Sequence, residues 1–134
     1  MAEITKVGTP SLAVTLPAPN CQLSGQTAGE ALGAFDAVYI KSDGKIWKAT
    51  GAANNAAAQV DGWTAQSYAS GDTDVTIYWD VRVRYGSGLT PGAKLYLSGT
   101  VAGGLADAAS TGGTAHVAKV SADGVRVELL RSRY

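Results

Sequence analysis

Few residues in this chain have side chains able to carry out a reaction. His116 is the one histidine, Cys21 the one cysteine, and eleven carboxylates supply most of the remaining acid–base capacity. A metal site built on imidazole or thiolate needs several such ligands together, so His116 would depend on help from carboxylates and is read as structural. Carboxylates alone can hydrolyse sugars in pairs or hold calcium from a loop. Asp72-Thr73-Asp74 is the nearest approach to a calcium loop, but the rest of that spacing is missing and the segment reads as a turn. Asp36, Asp43, Asp61 and Asp123 adjoin predicted turns or strand ends, and the last three each precede a glycine. They read as architectural. Nucleophile elbow, phosphate loop and dinucleotide glycine fingerprint are all missing, and Gly86-Ser87-Gly88 is a turn signal. The expectation is a protein that is not an enzyme and takes no cofactor and no metal.

With no reaction centre to place, the aromatic residues are the next candidates. A row of exposed rings would grip carbohydrate or single-stranded nucleic acid. Tyr39 and Trp47 sit on the two arms of the clearest hairpin, Ala37 to Ala49, with Asp43-Gly44 at its tip. Asp-Gly is expected to supply the positive φ angles of a tight turn, and the rings are expected to pair across the strands. Val38, Ile40 and Ile46 oppose them, so both faces of the hairpin are apolar and one is a candidate for packing against another subunit. In the strongest strand signal, Val75 to Tyr85, Val75, Ile77, Trp79, Val81 and Val83 alternate with Thr76, Tyr78, Asp80, Arg82 and Arg84. The first set reads as core, the second as solvent face or interface.

The same punctuation runs through the chain. Gly62 to Ala69 reads as a strand, Lys94 to Ser98 and Gly104 to Ala108 bracket a glycine-rich turn, and Thr114 to Val120 pairs with Val125 to Leu130 across Asp123-Gly124. Residues 51–59 are alanine-rich and read as one short helix or a loop. Eight or nine short strands with little helix predict an all-β fold, a compact β-barrel or sandwich of short antiparallel strands with an extended N-terminal arm. Residues 28–134 form the body and residues 1–27 the arm, where Pro10, Pro17 and Pro19 favour extended backbone. Leu12, Val14 and Leu16 are expected to add an edge strand to a neighbouring protein, because a free arm gains its structure only from a docking surface.

Composition narrows the partners. Eleven basic against eleven acidic residues give zero formal charge, which argues against nucleic acid and anionic membranes. Only 16% of residues are charged and seventeen are glycine, a neutral surface of the kind a partner covers. A lone cysteine allows no internal disulfide. The N-terminus lacks the basic start and apolar stretch of a signal peptide, so a cytoplasmic origin is expected.

The segments Ala28-Gly29-Glu30-Ala31-Leu32, Asp36 to Ala49 and Leu89-Thr90-Pro91-Gly92-Ala93-Lys94-Leu95-Tyr96-Leu97 resemble those of the small proteins that decorate and stabilise the heads of tailed bacteriophages. Phe35 stands where that pattern has glycine. The resemblance implies a β-rich body without a catalytic centre, assembled in the host cytoplasm and placed on the outside of the virion capsid. Its partners would be the major capsid protein and two further copies of itself in a homotrimer. Leu12, Val14, Leu16, Tyr39 and Trp47 are the expected capsid or subunit contacts. A phage tail or fibre component and a carbohydrate-binding β module are the alternatives.

Overall fold

In a computed structural model that describes residues 3–8, 21–131 and the backbone of 11–12, the chain is all-β. The described strands are β1 (Ser11–Leu12), β2 (Gln22–Gln26), β3 (Ala37–Ile40), β4 (Ile46–Lys48), β5 (Gly62–Thr64), β6 (Val75–Tyr78), β7 (Val81–Arg84), β8 (Lys94–Leu97), β9 (Leu105–Ala106), β10 (His116–Val120) and β11 (Arg126–Leu129). They form two antiparallel sheets, one ordered β1-β7-β11-β10-β8-β9 and the other β2-β6-β5-β3-β4. The architecture is a sandwich, and neither sheet closes into a barrel. The alanine-rich stretch contributes one 3₁₀ turn, Ala56–Ala58, where Asn55 Oδ1 accepts from the Ala57 N–H at 3.0 Å.

The strand predicted over Val75 to Tyr85 is the principal correction. It breaks at Trp79-Asp80: β6 belongs to the five-stranded sheet and β7 to the six-stranded one. Asp80 takes a left-handed φ of 55°, which turns the chain from one sheet into the other. The two-residue alternation survives the corner, since Val75, Ile77, Val81 and Val83 are all buried while Asp80, Arg82 and Arg84 are exposed. Periodicity therefore cannot reveal the bend, because the corner preserves its phase. The strand expected from Gly62 to Ala69 also ends early, at Thr64.

Both Asp-Gly hairpins share one turn geometry, and it differs from the expected one. Only the glycines have positive φ, 82° at Gly44 and 68° at Gly124. The Gly44 N–H donates to the Lys41 carbonyl at 2.9 Å and the Gly124 N–H to the Ser121 carbonyl at 3.1 Å. Asp43 Oδ1 accepts from Lys45 N–H, and Asp123 Oδ1 accepts from the N–H groups of Val125 and Arg126. Each is thus a four-residue turn closed by a left-handed glycine, with the aspartate fixing the strand that follows.

The main core lies between the sheets. Ala37, Tyr39 and Trp63 from the five-stranded sheet meet Val81, Val83, Leu95, Leu97, Val117, Ala118, Val120, Val127 and Leu129 from the other. Trp63, fully buried, donates from Nε1 to the Leu130 carbonyl at 2.8 Å and so ties the two layers together. A bulge between His116 and Ala118 explains why consecutive Val117 and Ala118 both point inward. A second cluster covers the opposite face of the five-stranded sheet: Val38, Ile46, Val75 and Ile77 pack against Ala28, Leu32 and Tyr68 from the connecting loops. The centre of that sheet is buried on both sides, while Ile40 and Leu23 at its margins stay exposed.

Phe35 has a φ of 55°, a conformation that favours glycine. The ring is 1% exposed, so its burial offsets a backbone penalty on the order of 1–3 kcal/mol. Surrounding hydrogen bonds hold it there. Phe35 N–H donates to the Thr64 carbonyl at 2.9 Å, and Gly33 N–H donates to Asp36 Oδ2 at 2.7 Å.

Candidate interaction surfaces

The N-terminal segment docks on its own body. Glu3 bridges to Ala106, Ile4 N–H donates to the Leu105 carbonyl at 3.0 Å, and Val7 N–H donates to the Tyr85 carbonyl at 3.1 Å. The Glu3 carboxylate accepts from the hydroxyls of Ser98 and Thr100. Lys6 Nζ reaches Asp36 Oδ1 and the Ala34 carbonyl, each at 2.9 Å. Asp36 is 7% exposed and joins several elements, since Lys48 Nζ lies 3.8 Å from its Oδ2 and its own N–H donates to Thr64 Oγ1. One carboxylate thereby fastens the N-terminal segment, the left-handed loop at Phe35 and the edge strand β4.

Beneath this segment lies a cavity of about 360 Å³ lined by Ile4, Lys6, Asp36, Tyr85 and Val101 among others. Tyr85 is 1% exposed and its hydroxyl has no hydrogen-bond partner among the described residues. Burial pushes its phenol well above the ordinary range, and the charges of Asp36 and Glu3 push the same way against a smaller opposing effect from the Leu105 backbone.

Each contact residue expected from the sequence can now be placed. Ser11 and Leu12 pair with Arg84 and Val83 of β7, so strand addition by the arm is made onto the chain's own sheet at these residues. The expectation that the arm gains structure only from a neighbour is corrected for residues 3–8 and 11–12. Val14 and Leu16 lie outside the described residues. Residues 22–26, counted with the arm in the sequence, form an edge of the five-stranded sheet as β2. Tyr39 and Trp47 do pair across β3 and β4. Tyr39, however, faces the main core and is 9% exposed, while Trp47 is half-buried against it. The reason is the twin covering of this hairpin: the core takes the aromatic side, and the loop residues Ala28, Leu32 and Tyr68 take the aliphatic side. Gly29 permits that packing, because a Cβ there would lie 2.3 Å from the Trp47 indole. Trp47 also donates to the Asp43 carboxylate and lies under the Lys41 ammonium, 4.5 Å from the ring centre.

No aromatic side chain described is fully exposed, so none offers a flat row of rings. Trp79, expected in the core, is half-buried against the second cluster, with the Arg131 guanidinium 4.3 Å above its ring. His116 is exposed. Among the described residues no group of three His, Cys, Asp or Glu is placed to hold a metal ion.

The outer face of the six-stranded sheet is the open one. Across β7, β11, β10 and β8 the register aligns Arg82, Glu128, Lys119 and Lys94 in one row, and Arg84 with Arg126 in another. Arg126 is satisfied by Asp123 at 2.7 Å. The remaining ion pairs among the described residues are Lys6–Asp36 and Lys48–Asp36, and use none of Arg82, Arg84, Lys94 or Lys119. The alternation in Val81-Arg82-Val83-Arg84 already marks Arg82 and Arg84 as solvent face or interface, but whole-chain neutrality carries no sign that Lys94 and Lys119 join them. No protein-family model and no curated protein matches this chain.

Proposed function

We propose that this protein is a structural component of a tailed-phage virion that binds the outside of the capsid lattice and stabilises it, acting as a homotrimer on the major capsid protein. The observation that carries the reading is the N-terminal segment, which docks by main-chain strand addition at β1 and by a charged clasp at Asp36. Fastened to its own sheet, the segment closes the body into a self-contained unit that a lattice can bind in many copies, where modest contacts add through repetition. The resemblance of the Ala28–Ala49 and Leu89–Leu97 segments to head-decoration proteins points the same way, and the left-handed backbone at Phe35 is what a glycine in that pattern would supply.

The test is to add purified protein to undecorated phage heads and follow binding and resistance to heat. The reading expects saturable binding and a raised disruption temperature, with both reduced when residues 2–20 are deleted from a chain whose body is confirmed by circular dichroism to remain folded. Failure of the full chain to bind heads would refute it.

A further inference from the structure

We infer that the outer face of the six-stranded sheet is a docking surface for an acidic protein surface. With strands about 4.8 Å apart, the Arg82–Glu128–Lys119–Lys94 row extends about 14 Å, and Arg84 lies one side-chain repeat, about 7 Å, along β7 from Arg82. The exposed cations Arg82, Arg84, Lys94 and Lys119 outnumber the two exposed carboxylates, Glu128 within the row and Asp80 at the corner beside Arg82. A depression of about 340 Å³ lined by Arg82, Lys119, Val120, Ser121, Ala122 and Glu128 gives the row a concave seat. The other sheet has the centre of its equivalent face covered by the Ile46–Ile77 cluster, with Ile40 and Leu23 exposed at its margins, so this is the more open of the two faces.

Charge complementarity calls for an acidic occupant, and three features favour protein over nucleic acid. Glu128 stands in the middle of the row, where it would meet a phosphate of like charge, whereas a protein surface can set a donor against it. The face offers only the half-buried Tyr96 and the imidazole of His116 beside it, too little for a row of stacked bases. The chain as a whole carries zero formal charge, which gives little long-range pull on a polyanion.

The probe is immobilised poly-L-glutamate, with a duplex DNA oligonucleotide as the second arm. Binding to polyglutamate is expected at about 50 mM salt and should weaken steeply as salt screens the contact. Lys119→Glu and Arg82→Glu should each weaken it by about tenfold, whereas Lys45→Glu, an equal charge change on the exposed tip of the first hairpin, should alter it less than about twofold. Lys119→Gln gives a milder loss in the same direction and covers any misfolding of the reversal. Tighter binding to DNA than to polyglutamate, equal losses from Lys45→Glu and Lys119→Glu, or no binding at low salt would each overturn the inference. Undecorated heads separate it from the capsid reading: if heads fail to bind wild type while polyglutamate binding depends on Lys119, only the capsid reading falls.

Discussion

The two sheets of this sandwich use the same turn chemistry to opposite ends. The hairpin β3–β4 and the hairpin β10–β11 close on matching Asp-Gly turns, with equivalent hydrogen bonds to Lys41 and Ser121. Yet the first has Val38 and Ile46 fully buried on its outer side, while the second presents Lys119 and Glu128 to solvent. The turn is therefore a local property, set by four residues, whereas the role of a face depends on what the rest of the chain lays over it. The loops carrying Ala28, Leu32 and Tyr68 convert one outer face into a second core. Nothing among the described residues does the same for the six-stranded sheet.

If both sides of the five-stranded sheet are core, truncations there must be severe on either side. Trp63→Ala should cost about 3–5 kcal/mol, since it empties the main core and leaves the Leu130 carbonyl without its indole partner. Ile77→Ala, on the opposite side, should cost about 2–5 kcal/mol by denaturant unfolding. A cost under about 1 kcal/mol at Ile77 would break the comparison by making the second cluster a superficial patch. Asp36→Ala comes next, at about 1–3 kcal/mol, because Gly33 N–H loses its acceptor and the half-buried Lys6 loses its carboxylate, keeping only the Ala34 carbonyl.

Smaller effects sharpen the contrast. Tyr85→Phe should raise stability by up to about 1 kcal/mol, because the hydroxyl is buried without a partner. It should also change the alkaline limb of the stability profile. The Tyr85 phenol titrates higher in the folded state than in the unfolded chain, so its ionisation costs no stability below the ordinary tyrosine value of about 10, and stability falls as pH rises above it. Tyr85→Phe should flatten that loss, measured by urea titrations at successive pH values. At the acid end, backbone N–H donors from Arg126 and Val125 hold the Asp123 carboxyl below its usual range. Its contribution is present above that range and fades as pH falls through the lowered value. On the open face, Lys119→Ala should change stability by less than about 0.5 kcal/mol, which separates a residue kept for contact from one kept for folding.

Much of the fold was legible because its signals are local. Alternation marked nearly every strand, and Asp-Gly marked both hairpins. The corner at Asp80 was not legible, because a left-handed residue that preserves the two-residue phase leaves no trace in hydrophobicity. Tyr39 and Trp47 illustrate the other limit. Their cross-strand pairing follows from spacing, but which side of the hairpin faces solvent depends on Ala28, Leu32 and Tyr68, which pack there from distant positions in the chain. Leu12 forms a strand as its pattern predicts, but nothing local to it distinguishes its own β7 from a neighbour's edge.

The most direct test of the account is a cryo-electron microscopy reconstruction of phage heads incubated with the protein. The account predicts density on the outer lattice in which Arg82, Lys119 and Lys94 face acidic residues of the capsid, while the Ile46–Ile77 cluster stays buried inside each copy. Heads without added density, or copies seated through the β3–β4 hairpin with the basic face turned to solvent, would contradict it.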